Sequence, residues 1–207
     1  MRIRLSSAGV AVLAALVFGS CSETANDSRQ DHTAASQSGK ISSSDQPDQT
    51  ELLAAAERAR ASFASGAPSM DALVDQFIQA LSNQDKEALN QLRVSKTEYL
   101  DLIVPGTVPV GQRPRQVSEQ PKEYFWSMLD TKSHYYAERL LGQFGGRTYH
   151  AHELTLTRPS KEYAWYKAYG QVKMELHGDD DATYHLISGW VAEVDGRYKF
   201  IGFNYES

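Results

Sequence analysis

The stretch T-Y-H-A-H-E-L-T-L-T, residues 148–157, is where this chain changes its period. Its residues alternate, so every second side chain falls on one face, the mark of a half-buried strand. Just ahead of it, Gly145-Gly146 closes a long run of helical spacing. From there to the C-terminus period 2 persists. Val172, Met174 and Leu176 alternate with Gln171, Lys173 and Glu175 within residues 166–177. Gly178-Asp179-Asp180-Asp181 reads as a turn. A strand is expected over residues 184–194, a tight hairpin at Asp195-Gly196, and a last strand over residues 197–205.

Ahead of Gly146 the period is 3.6. Met70, Leu73, Val74, Phe77, Ile78 and Leu81 recur at steps of three and four, with Asp71, Asp75, Gln76 and Gln79 opposite, which predicts an amphipathic helix. A short helix is expected over residues 85–92. Ser95-Lys96-Thr97-Glu98 fits a capping box, opening a third short helix through Tyr99, Leu100 and Ile103 that Pro105 ends. Pro105, Pro109 and Pro114 with Gly106 and Gly111 mark a loop. Pro121 suits the first turn of the next helix. That helix is expected to bury Tyr124, Phe125, Met128 and Leu129, break near Asp130, and continue through Tyr135, Leu140 and Leu141. Helices first and a four-stranded antiparallel meander after is an α+β order. About 140 residues suffice for one core.

The N-terminus has a different character. Met1-Arg2-Ile3-Arg4 is basic, residues 5–18 are mainly apolar, and Gly19 and Ser20 are small, the three parts of a secretory signal. The run is too short for a spanning helix, which needs about 20 apolar residues. Next stands Cys21, the one cysteine of the 207-residue chain. An ordinary signal would leave that thiol without a partner in an oxidising compartment. Phe18-Gly19-Ser20-Cys21 resembles a lipobox, so residues 1–20 are expected to be a lipoprotein signal peptide and Cys21 the lipidated residue. Acyl chains in the plural hold a protein on a membrane where one is marginal. Ser22 resembles the pattern that sends lipoproteins to the outer membrane, facing the periplasm. Residues 21–50 are polar and small, with too little apolar surface to offset the entropy of ordering, and read as a disordered tether. Residues 51–66 read as a lead-in helix with a thin apolar stripe, either docked on the domain or a stiff end to the tether. The domain proper is expected over residues 69–207.

Net charge is −5, and −7 without residues 1–20, with no polybasic cluster, which speaks against a nucleic-acid surface. Asp179-Asp180-Asp181 lacks the spaced ligands of a calcium loop. There is no G-x-G-x-x-G, P-loop, G-x-S-x-G or H-E-x-x-H.

His150 and His152 are the most chemically suggestive residues. In an unbroken strand they share a face about 6–7 Å apart. Leu154 and Leu156 fall on that same face, turning the histidines toward the concave side of the sheet. Three readings stand: partly exposed strand histidines, a pocket acid or base, or two ligands of a metal. Zinc needs a third protein ligand, which His177, His185 or Glu193 could supply across the sheet. The sequence assigns no metal and no cofactor. Tyr163, Trp165, Tyr166 and Tyr169 cluster ahead of a strand, with Trp126 and Trp190 elsewhere, as core packing or as the lining of a ligand cleft or partner patch.

Two features together resemble the nuclear-transport-factor-2-like, or SnoaL-like, superfold. One is the opening helix and its short follower, Leu73-Val74-Asp75-Gln76-Phe77-Ile78-Gln79-Ala80-Leu81 and Asp85-Lys86-Glu87-Ala88-Leu89. The other is the closing strands, ending Val194-Asp195-Gly196-Arg197-Tyr198-Lys199-Phe200-Ile201. Ser95-Lys96-Thr97-Glu98-Tyr99, the Trp126 helix and Gly196-Arg197-Tyr198-Lys199-Phe200 also look like a group of bacterial lipoproteins. The resemblance implies a curved antiparallel sheet of four or more strands, wrapped with the helices into a cone around a deep pocket. The superfold hosts isomerases, dehydratases, cyclases and binders, so it does not choose an activity. Pocket candidates are Tyr99, Trp126, His152, His185 and Trp190, and catalytic candidates are His150 and His152. The function expected is a lipid-anchored cell-envelope protein whose non-catalytic domain binds a small apolar ligand or a protein partner. The alternative is an enzyme of the ketosteroid-isomerase type with a pocket histidine as general acid or base. Partners expected are the membrane through the acyl chains, that ligand or protein, a second copy of the chain, and no nucleic acid.

Overall fold

The computed structural model describes residues 49–204. The signal peptide, Cys21 and nearly all of the tether lie outside the described residues, as does the end of the last strand.

Helix α1, Gln49–Phe63, buries Leu52, Ala56, Ala59 and Phe63, one stripe at helical spacing. It is docked: Ala59 and Phe63 pack with Val94, Leu102, Ile103, Ala168, Ala192 and Val194 in one apolar cluster. Helix α2, Met70–Ser82, starts where Ser69 Oγ accepts from the Ala72 amide, and buries Leu73, Val74, Phe77, Ile78, Ala80 and Leu81. Helix α3, Lys86–Gln91, is capped by Asp85 in the same way. Both follow the sequence pattern.

Helix α4, Lys96–Glu98, opens with the expected capping box between Ser95 and Glu98. Pro105 does not end the helix there. The chain widens into a π-helical turn, Tyr99–Ile103, and closes with a last turn, α5, Val104–Gly106. Pro105 has no N–H for the usual four-residue bond. The amide before it, Val104 N–H, reaches five residues back to the Tyr99 carbonyl instead.

Helix α6 is one unbroken element, Glu119–Phe144, where a break near Asp130 was expected. Partners in the rest of the fold hold the weak segment helical. Arg93 Nη2 donates to Asp130 Oδ1 at 2.9 Å, and the Phe203 amide donates to Ser133 Oγ at 3.3 Å. The buried apolar stripe of α6 is Ala137, Leu140 and Phe144, in its C-terminal half. The N-terminal half was expected to bury Tyr124, Phe125 and Met128, but they are 61%, 47% and 43% exposed. A 26-residue helix is about 39 Å long, longer than the core it packs on.

The strands form two antiparallel sheets where one meander was expected. Strands β1 (Tyr149–Leu156), β4 (Val172–Gly178) and β5 (Thr183–Ile187) form a three-stranded sheet in the order β1-β4-β5. Strands β2 (Lys161–Glu162), β3 (Lys167–Tyr169), β6 (Val191–Val194) and β7 (Arg197–Phe200) form the other, in sequence order. Asp195 and Gly196, at φ 50° and 74°, make the expected β6–β7 hairpin turn.

The four-stranded sheet is covered on both faces. Val191 and Phe200 face α2 in the larger core, while Ala192 and Val194 face α1 and the π-helical turn. This explains why β6 reads as an almost continuous apolar run. Phe77 sits beside Phe200 and Phe203 at ring separations of 5.4 and 5.8 Å. The three-stranded sheet has one covered face: Leu154, Val172, Met174, Leu176 and Leu186 join the larger core. Its other face is open.

Candidate functional site

The open face of the three-stranded sheet is built by a single irregularity in β1. Residues pair regularly as His150↔His177 and Ala151↔Leu176, and the register then jumps to Glu153↔Glu175 and Leu154↔Met174. His152 is the extra residue of a β-bulge. The bulge resolves a conflict in the sequence. An unbroken strand puts His150, His152, Leu154 and Leu156 on one side. With one residue inserted, Leu154 turns into the core while His150 and His152 both stay exposed.

The result gathers four of the chain's six histidines on one surface. His152 stacks on His177, with ring centroids 4.6 Å apart and planes 20° from parallel. His177 Nε2 lies 3.3 Å from Glu175 Oε1. His185, paired with Glu175 across β4 and β5, brings Nδ1 to 4.0 Å from Glu175 Oε2. His150 faces His177 across the β1–β4 pair. Among the described residues, His152, Glu175 and His177 are the group whose ligand atoms lie close enough for one ion, all within 4.8 Å of one another.

A separate cleft of about 340 Å³ lies between the two sheets. Met70 of α2, Leu154 and Leu156 of β1 and Val172 of β4 form its apolar side. Tyr169 of β3 and Tyr198 of β7 face them, with Lys167, Thr155 and Ser160 at the margin. The Tyr169 hydroxyl donates to Glu193 Oε2 in a short hydrogen bond. Burial, reinforced by that bond, pushes the Tyr169 hydroxyl far up, and burial raises Tyr198 as well. Both phenols therefore stay protonated; Tyr169 commits its one proton to Glu193 and offers its oxygen as an acceptor, while Tyr198 keeps a proton to donate. The cleft offers an apolar body and hydroxyl or ammonium contacts, with no histidine in its lining.

The five pocket candidates do not share a cavity. Tyr99 and Trp126 are in contact, with ring centroids 5.7 Å apart. Tyr99 lines a groove of about 560 Å³ with Val104, Val117, Pro121 and Phe125, and burial raises its hydroxyl pKa. His152 and His185 lie on the open sheet face. Trp190 stands between β5 and β6, with the Arg158 guanidinium 6.0 Å from its ring centroid. Catalytic candidates His150 and His152 are both exposed and do not share a cavity: His150 lines a groove of about 460 Å³ with Asp75, Gln79 and Ser82 of α2, while His152 stacks on His177. Glu193, considered as a metal ligand, belongs to the other sheet and serves Tyr169. Sequence reasoning missed Met70, Leu156 and Tyr198 as cleft residues. The signal that could have found the polar end is Glu193, the one charged residue in Val191-Ala192-Glu193-Val194.

Compared with family models, with curated proteins and with solved structures, the chain has no match.

Proposed function

We propose that this is a lipid-anchored cell-envelope protein whose domain binds a small, mainly apolar molecule in the cleft between its two sheets, without converting it. The observation that carries the reading is the cleft's lining. Met70, Leu154, Leu156 and Val172 offer an apolar wall, and Tyr169, Tyr198 and Lys167 supply a few oriented polar contacts. Its volume of about 340 Å³ falls at the small end of ligand sites, which run from about 300 to 1,000 Å³. Helices followed by antiparallel strands support membership of the nuclear-transport-factor-2-like superfold, and the cleft would then serve as its pocket. The basic start, short apolar run and Cys21 support an acylated N-terminus, and Ser22 supports its placement on the outer membrane, facing the periplasm. The enzyme reading loses support because His150 and His152 stand away from the cleft. A protein partner is the second reading, favoured by Tyr124, Phe125, Met128 and Tyr135, which stand exposed along α6.

Native mass spectrometry tests the reading on a soluble form in which a cleavable secretory leader replaces residues 1–21. A bound mass that is lost on denaturation, and absent from a folded Leu156→Trp variant with a filled cleft, is the expected outcome. A bare chain, or a bound mass indifferent to Leu156→Trp, would overturn it. The anchor is checked on detergent-extracted native protein, whose N-terminal residue is expected to be acylated Cys21. An unmodified N-terminus excludes it.

A further inference from the structure

The geometry points to a second binding site: His152, Glu175 and His177 form an exchangeable site for a divalent transition-metal ion of the zinc class. It is independent of the cleft and of what fills it.

The argument begins with position. The bulge places His152 over His177, a residue that an unbroken β1 would pair with His150 alone. Three potential ligand atoms, two imidazole nitrogens and a carboxylate oxygen, lie within 4.8 Å of one another. A tetrahedral zinc ion with bonds of about 2.0–2.2 Å holds its ligands roughly 3.3–3.5 Å apart, so the set must close by about 1.5 Å. The His177 and Glu175 pair is already at 3.3 Å. His152 is exposed and its neighbour His177 has 46% of its side chain in solvent, so rotation of the two rings can supply the rest.

Chemistry selects the ion. Imidazole nitrogen suits zinc, copper and nickel, whereas calcium and magnesium take oxygen ligands. Two histidines and a glutamate leave the fourth position to water, the donor set of open zinc sites rather than closed structural ones. His185 stands on the other side of the same carboxylate, with Nδ1 at 4.0 Å, beyond hydrogen-bond reach, so it leaves Glu175 free to turn toward an ion. A solvent-facing site with an open position exchanges its ion, as suits pick-up and delivery at an envelope surface more than reinforcement of the fold.

The test uses the full mature chain in detergent, stripped of metal with a chelator and titrated calorimetrically with zinc chloride. Uptake of one equivalent is expected, with no heat from calcium chloride. His152→Ala and His177→Ala are each expected to weaken uptake more than ~100-fold, beyond the ~10–100-fold that loss of an outer-shell partner costs. Both side chains are at the surface, so the variants should keep the circular dichroism of the parent, and Glu175→Gln gives a nearly isosteric third check. His134→Ala, on α6, should leave uptake unchanged. The proposal is overturned by absence of saturable uptake, or by uptake that persists in the His152→Ala/His177→Ala double variant.

Discussion

Glu98 is completely buried, and its carboxylate accepts from three groups on three segments of chain. Ser95 N–H donates at 2.7 Å, Ser62 Oγ of α1 at 2.9 Å and Lys199 Nζ of β7 at 2.8 Å. Lys199 lies on the sheet face that α1 and the π-helical turn cover, so its side chain is almost wholly out of water. Glu98→Ala removes the cap and strands that charge, and should cost about 3–5 kcal/mol. Urea unfolding measures it, and a loss under ~1 kcal/mol would show the pair to be dispensable. Half of this unit was legible beforehand. The Ser95–Glu98 box is a local pattern, but Lys199 is 101 residues away and nothing in its own neighbourhood marks it as buried. Tyr166 makes a second residue-scale case. Its hydroxyl meets Thr107 Oγ1 at 2.9 Å, and burial pushes its pKa from 10.0 up to about 12. The protonated phenol is the folded form. Its contribution is therefore complete below pH 10 and fades as pH rises toward 12, by ~3 kcal/mol in all. Denaturant unfolding at stepped alkaline pH should show that loss, and Tyr166→Phe should flatten it. Tyr169, raised for the same first reason, leaves a residual slope.

At the scale of elements, α6 lies close against the C-terminal segment. A Cβ on Gly202 would come within 2.7 Å of both Leu129 Cδ1 and Ser133 Oγ. On Gly189 it would come within 1.4 Å of the Gly202 carbonyl oxygen. That oxygen belongs to the backbone and cannot rotate away. Gly189→Ala should thus cost more than the ~1–3 kcal/mol of ordinary overpacking. Gly142→Ala, on the same α6 but with nothing within 4 Å, should stabilise by about 0.5–1 kcal/mol. Thermal unfolding of the two variants reads the contrast, and a shift in the same direction for both would contradict the packing. The continuity of α6 was not legible because Asp130, Thr131 and Ser133 are weak helix formers on their own. Arg93 and Phe203, which hold them, are distant in sequence. The same distance hid the exposure of Tyr124, Phe125 and Met128, since periodicity shows which residues share a face but not where the core stops.

Across the whole molecule, the order of helices then strands was legible from one change of period at Gly146. The division into two sheets was not, because the alternation continues through the points where the chain passes from one sheet to the other. That division creates the cleft, so the cleft was hidden with it. The covering of the four-stranded sheet on both faces was equally hidden, and it makes α1 part of the core rather than an appendage. Phe63, 1% exposed, packs there with Leu102, Ile103 and Val194. Phe63→Ala should destabilise the domain by about 3–5 kcal/mol, and a chain that begins after α1 should bind a dye for exposed apolar surface. A truncated chain that unfolds at the parent temperature would return α1 to the role of a linker.

The bulge at His152 has one more effect. Among the described residues β1 is an outer strand of its sheet, paired with β4 alone. Its free border would offer a row of unpaired amides and carbonyls to any passing extended chain, a second copy of this one included. The inserted residue bends that border and puts its donors and acceptors out of step, so a straight strand cannot zip along it. The same irregularity that presents a histidine thus also keeps neighbouring copies from growing into one another.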